Sequence, residues 1–366
     1  MNKFLKKVFL FILFPLIVVL PPVYILLSSN ENISIESAIK YQKKNNASVL
    51  GFAYNQNTAR LKYVRSMQVQ PDILALGTSR IMQFSEDLFK EQYSFYNAGG
   101  AISEMEHFLP FMQKTKLRPQ MLFIVLDQYF FNETWIKTQP KQTIGGSTVS
   151  FQTLIQSNFV TIWEDIFEGK IPFKYPYKAN LGLLAKVSND GFKFDGSYSY
   201  HRTMNEPEKS LDYMFVNTQT RLKQGISRFE YADTLCEKSL SELDILLAYC
   251  AENNIYVVGI LPPYAPEIWH MMMVDCKDNY GYLSLLPGAT SKIFNKWDFP
   301  LLDCSDGLSI NSDDNEFVDG FHGSDKTYAR IALQLSKIDD KVSEYLKSKD
   351  DLIKHIETLP DVNLNK

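Results

Sequence analysis

The chain has 366 residues, enough for one large or two modest domains, with 45% hydrophobic and 13% aromatic side chains. Its formal net charge of −4 comes without a long basic tract, which argues against nucleic acid as the main partner. The four cysteines have spacings that match no zinc pattern.

Lys3, Lys6 and Lys7 precede a charge-free run from Val8 to Leu27, VFLFILFPLIVVLPPVYILL. The run is long enough to cross a bilayer, and the cations before it orient residues 1–7 to the cytoplasm. Its core is longer and bulkier than that of a cleaved signal peptide, Leu27-Ser28-Ser29 is a poor cleavage site, and no lipid-anchoring cysteine follows. Residues 8–27 are therefore expected to form a single-pass signal anchor in a bacterial cytoplasmic membrane, with the main domain periplasmic or extracellular. Pro15, Pro21 and Pro22 kink such a helix without forbidding it, provided neighbours satisfy the freed carbonyls. An exported domain meets an oxidising compartment. Cys236 and Cys250 fall on one expected helix, too far apart to bond, which makes Cys276 and Cys304 the better candidate pair among three possible pairings.

After a polar spacer (28–34), Ser34 to Lys44 and Thr58 to Met67 read as helices, so that residues 28–70 are spacer and N-terminal helices. Ile73-Leu74-Ala75-Leu76, bounded by Pro71 and Gly77, reads as a strand buried on both faces; Arg80 to Lys90 has helical character. A second strand at Tyr93–Tyr96, a helix over Ser103–Lys116 and a third strand at Met121–Leu126 follow. This alternation predicts an α/β domain over 71–346, a three-layer parallel sheet with helices on both faces. Residues 130–220, rich in Gly, Ser, Pro and aromatics, read as an insertion or lid, with a helix of its own at Phe151–Phe167. The pattern resumes with a long helix from about Leu222 to Glu252 and a strand at Ile255–Leu261 stopped by Pro262-Pro263. Next come a helix-rich stretch to Asn295, a short strand at Leu301–Asp303 and a helix over Ser324–Leu346. The charged tail, 347–366, is expected to be loose.

Two stretches carry chemistry. Gly77-Thr78-Ser79-Arg80 hands over a serine where a strand's carboxyl end meets a helical turn, the usual place for ligands in open α/β sheets. Taken alone, that serine is either a helix N-cap or a nucleophile. About 240 residues later stands Val318-Asp319-Gly320-Phe321-His322. An acid that orients an imidazole, which deprotonates a hydroxyl, is the minimum for serine nucleophilic catalysis. His107 reads as a surface helix residue, Arg80 as either a contact for an anionic substrate or a salt-bridged residue at the sheet edge, and Tyr264, after Pro262-Pro263, as lining a cleft or covering the core.

The order of these blocks resembles the SGNH/GDSL hydrolase superfamily over about residues 70–345, less the insertion. Gly77-Thr78-Ser79-Arg80 resembles its first block, in a variant used by membrane-anchored cell-envelope members. Asn97-Ala98-Gly99-Gly100 resembles the second, and Asp319-Gly320-Phe321-His322 the last. The third block departs: where the family commonly has G-x-N-D, this chain has Leu126-Asp127-Gln128-Tyr129. The resemblance implies Ser79 as nucleophile, His322 as base and Asp319 as its orienter. It also implies an oxyanion hole from Ser79 and Gly99 or Gly100 N–H groups; in the departing block, either Gln128 offers a substitute amide donor on a longer arm or Asp127 instead holds the Ser79 loop. The implied activity is that of a serine esterase or O-acyltransferase acting on acyl groups of a cell-envelope glycan or polymer, as in teichoic-acid D-alanylation or polysaccharide O-acetylation. A multipass membrane acyltransferase would be its partner, and no cofactor or metal is called for. The alternatives are an inactive scaffold protein for glycan binding or envelope assembly, and a metal-dependent phosphoesterase.

Overall fold

The computed structural model describes residues 3–138 and 144–362. It divides into two compact units, Met1–Asn57 with Ser147–Phe194 and Thr58–Gly146 with Asp195–Lys366. The expected insertion is thus split: residues 147–194 join the N-terminal segment, and 195–220 belong to the larger unit.

The larger unit is built on a parallel sheet of five strands, β1 (Ile73–Gly77), β2 (Phe95–Gly99), β3 (Met121–Val125), β4 (Tyr256–Leu261) and β5 (Leu301–Asp303), in the order β2-β1-β3-β4-β5. The apolar runs behave as sequence periodicity requires. Leu74 and Leu76 of β1 face one layer with Phe108, Phe111, Leu246 and Phe294, whereas Ile73 and Ala75 face the other with Ile331, Leu335 and Leu352. Helices Phe108–Thr115, Glu237–Glu252 and Gly281–Lys296 supply the first layer, and Asp325–Ile338 and Lys349–Thr358 supply the second. The strand order reverses between β1 and β3, which opens a crevice at their carboxyl ends.

Several elements differ from expectation, each for a local reason. Residues 80–90 form two 3-10 turns, Ser79–Ile81 and Glu86–Leu88, because Arg80, Phe84 and Phe89 are all drawn into the interior. The long helix expected to 252 is two helices, Val216–Gln224 and Glu237–Glu252: Gly225, at φ +65°, ends the first in the left-handed conformation. Asp339 breaks the helix expected over 324–346, its extended backbone and its carboxylate capping Val342 N–H. The tail is not loose, for Ser348 caps the helix Lys349–Thr358, and Leu352 and Ile356 are buried.

In the smaller unit, Lys3–Ser28 is one helix that packs on Phe151–Phe167. Pro22 has no N–H to offer Val18 C=O, and the Trp163 indole N–H donates to that carbonyl instead, at 3.1 Å. The buried Glu31 carboxylate accepts the backbone N–H groups of Ala53, Tyr54, Asn55 and Leu183, tying three segments together. The side chains of Leu5, Lys6, Phe9, Leu10, Ile12 and Phe14 lie outside the described residues. Among the described residues, no helix is long and apolar enough to cross a membrane.

All four cysteines are free. Cys304 is sealed beneath the sheet, its thiol donating to Leu261 C=O at 3.1 Å, and Cys276 packs in a different hydrophobic cluster, so the suggested pair is not formed. Burial pushes the Cys304 thiol well up, and that of Cys250 up to about 12.

Candidate active site

Gly77 ends β1, and Thr78 caps the following turn, its hydroxyl accepting from Arg80 N–H. The same hydroxyl donates to Asp127 Oδ2 at 2.6 Å, so the residue after β3 clamps the turn after β1 across the switch point. Ser79 opens the turn, partly exposed, and its Oγ lies 2.8 Å from His322 Nε2. On the other side of the ring, His322 Nδ1 lies 2.7 Å from Asp319 Oδ2. The Phe317–Gly323 bridge and the Val318 N–H to His322 C=O bond close a tight loop around the pair. Asp319 Oδ1 accepts the N–H groups of Phe321 and His322. Burial works against charge on Asp319, but the His322 imidazole and these donors outweigh it and hold the carboxyl below its ordinary value.

Ser79 and a residue pair more than 200 positions later in the chain thus form one continuous hydroxyl–imidazole–carboxylate chain. Such a chain can lower the cost of removing the serine proton and stabilise the imidazolium that results. Ser79 opens into a cleft of about 700 Å³ lined also by Gly100, Tyr129, Trp135, Arg221 and Arg228.

The other residues singled out from the sequence have different surroundings. Arg80 is 1% exposed and spends all five of its N–H donors internally. Its Nε donates to Phe321 C=O, Nη1 to Asp127 Oδ1 and Gln128 Oε1, and Nη2 to the carbonyls of Pro262 and Pro263. Its guanidinium also lies 4.4 Å from the Tyr264 ring centre. Arg80 therefore ties the ends of β1, β3 and β4 to the His322 loop, and neither it nor the buried Tyr264 reaches the cleft.

Gln128, fully buried, donates to Pro262 C=O at 2.7 Å and to Ser305 Oγ at 2.9 Å, which occupies its amide inside this hub. Gly99 N–H donates to Asn97 Oδ1 and Gly100 N–H to Gly77 C=O. These expected oxyanion donors thus have internal acceptors. Ser79 N–H, first in its 3-10 turn, has no acceptor within that turn. The Asn97 side chain also donates to Ile81 and Phe84 carbonyls, bracing the Ser79 turn.

His107 is buried, with Nδ1 3.0 Å from Ser103 Oγ, rather than on the surface. With Glu104 and Glu106 it brings three potential ligand atoms within 4.8 Å, but Glu106 is paired with Lys238. Sequence reasoning passed over Arg221, Arg228 and Asp212, the last holding Thr218 and Gly320 N–H beside the His322 loop. The one available signal was Gly225, a break inside an apparently continuous helix. No family model matches the chain, and no curated protein matches it.

Proposed function

We propose that this chain is a serine esterase or O-acyltransferase with Ser79 as nucleophile, His322 as general base and acid, and Asp319 as the group that orients the imidazole. The observation that carries the reading is the 2.8 Å approach of Ser79 Oγ to His322 Nε2 at the switch point of a parallel sheet. Ser79 Oγ attacks the ester carbonyl while Nε2 takes its proton. The tetrahedral oxyanion forms against Ser79 N–H, then collapses and expels the alcohol, which receives that proton from Nε2. Water or an acceptor hydroxyl, deprotonated in turn by Nε2, then takes the acyl group, and Nε2 returns the proton to the departing Ser79 Oγ. The resemblance to the SGNH superfamily supports an acyl group on a cell-envelope glycan or polymer as substrate, with a multipass membrane acyltransferase as partner. The lysine-flanked apolar run 8–27 supports a single-pass anchor with the catalytic unit outside the cytoplasm.

A fluorophosphonate probe tests the chemistry. Labelling of the wild type that disappears in Ser79→Ala is the expected result. The internal partners of Gly99, Gly100 and Gln128 favour a second reading, a non-catalytic glycan-binding or assembly protein. A folded wild type that takes up no probe would favour that alternative.

A further inference from the structure

Gly225 turns the chain out of the helix Val216–Gln224 and over the cleft. Arg221, in that helix's last turn, and Arg228, in the loop, both line the cleft with Ser79. Their guanidiniums share one aromatic ring: Arg221 Cζ lies 5.1 Å and Arg228 Cζ 5.7 Å from the centre of Phe321, the neighbour of His322. Arg228 also lies 5.6 Å from the Tyr129 ring.

Neither arginine has an ion-pair partner among the described residues. Arg221 donates from Nη2 to Thr218 Oγ1, and its Nε is buried without an acceptor. The carboxylates nearby are otherwise engaged: Glu230 accepts Arg228's own backbone N–H, Asp212 holds Thr218 and Gly320, and Asp319 holds His322. Burial and the charge on Arg228 push the Arg221 guanidinium below its ordinary value, against Asp212 and Asp319. Ser227 and Arg228 sit at φ +54° and +83°, in the left-handed region that strains residues with side chains and recurs at functional loops. Two guanidiniums without an ion-pair partner, one with a buried Nε that has no acceptor, thus stand beside the nucleophile in a cleft that Glu104 and Glu230 also line.

We propose that Arg221 and Arg228 form a binding site for an oxyanion, phosphate or carboxylate, carried on the substrate beside the ester that Ser79 attacks. Guanidinium forks match both groups, and the anion relieves the mutual repulsion of the two cations. The role in substrate choice rests on the serine-acyl-transfer reading; the anion site does not.

The full chain in detergent micelles is titrated with inorganic phosphate, as wild type, Ser79→Ala, Arg221→Gln, Arg228→Gln and Arg228→Lys, each checked for an unchanged thermal midpoint. Phosphate should bind wild type and Ser79→Ala alike, at least tenfold more weakly in either Gln variant, with partial recovery in Arg228→Lys. Equal binding in folded Gln variants overturns the site. Three acetate esters of similar size, one neutral, one with a phosphate and one with a carboxylate, then report on substrate choice. The ratio of kcat/KM for the preferred anionic ester to that for the neutral one should fall at least tenfold in either Gln variant, and the preferred ester identifies the anion. Turnover with no anionic preference overturns the proposal and leaves the serine reading standing. Phosphate binding without turnover of any ester keeps the anion site and removes the serine reading.

Discussion

At the residue scale, Arg80 and Gln128 illustrate how position decides role. Arg80 directly follows Ser79 and Gln128 follows β3, yet their polar atoms are consumed by one buried network joining three strand ends to the His322 loop. Gln128→Ala should cost roughly 1–3 kcal/mol of stability, because it strips an acceptor from Arg80 and a donor from Pro262 C=O. Denaturant unfolding measures that loss; an oxyanion role would instead lower kcat by about 10²–10³ with stability intact. Asp319→Asn should leave the fold in place and reduce kcat, since an amide cannot hold a positively charged imidazolium as the carboxylate does. Steady-state kinetics on a phosphate-free chromogenic ester would show it, and an unchanged kcat would remove Asp319 from the mechanism.

At the element scale, the breaks matter more than the regular segments. The apolar runs of β1, β3 and β4 are legible from sequence because strands buried on both faces leave little room for anything but apolar side chains. The break at Gly225 is marked by the glycine alone, within a helix-compatible sequence; the close approach of Tyr231, 2.9 Å from where a Cβ would sit, and the positive φ make glycine necessary there. Gly225→Ala should destabilise the chain by about 1–2 kcal/mol, read as a lower denaturation midpoint at constant m-value. The helix Lys349–Thr358 was hidden for the opposite reason, its charged surface masking the two apolar residues that dock it. Leu352→Ala should cost roughly 2–5 kcal/mol, a loss that a loose tail would not show.

For the whole molecule, Lys62 links stability to pH. It is fully buried, donates to the carbonyls of Asn97 and Gly196, and is held by burial at about 7, against Asp195. The unfolded chain keeps its lysine proton up to about 10.4, so between these values the unfolded state binds more protons than the folded one. Unfolding free energy should therefore rise with pH from about 7 to 10, by up to about 1.4 kcal/mol per unit, and Lys62→Met should flatten that rise. Denaturation curves at pH 7, 8, 9 and 10 measure it. What the sequence by itself determined was the parallel α/β character and the pairing of an early serine with a late Asp–His, because buried strands and short loops imprint their needs locally. Only the tertiary structure decided that Ser79 Oγ and His322 Nε2 meet across 243 positions, that Arg80 and Gln128 are spent inside, and that Arg221 and Arg228 flank the cleft. Those facts depend on which strand ends adjoin and where the chain turns between helices, and such long-range juxtapositions leave no local trace.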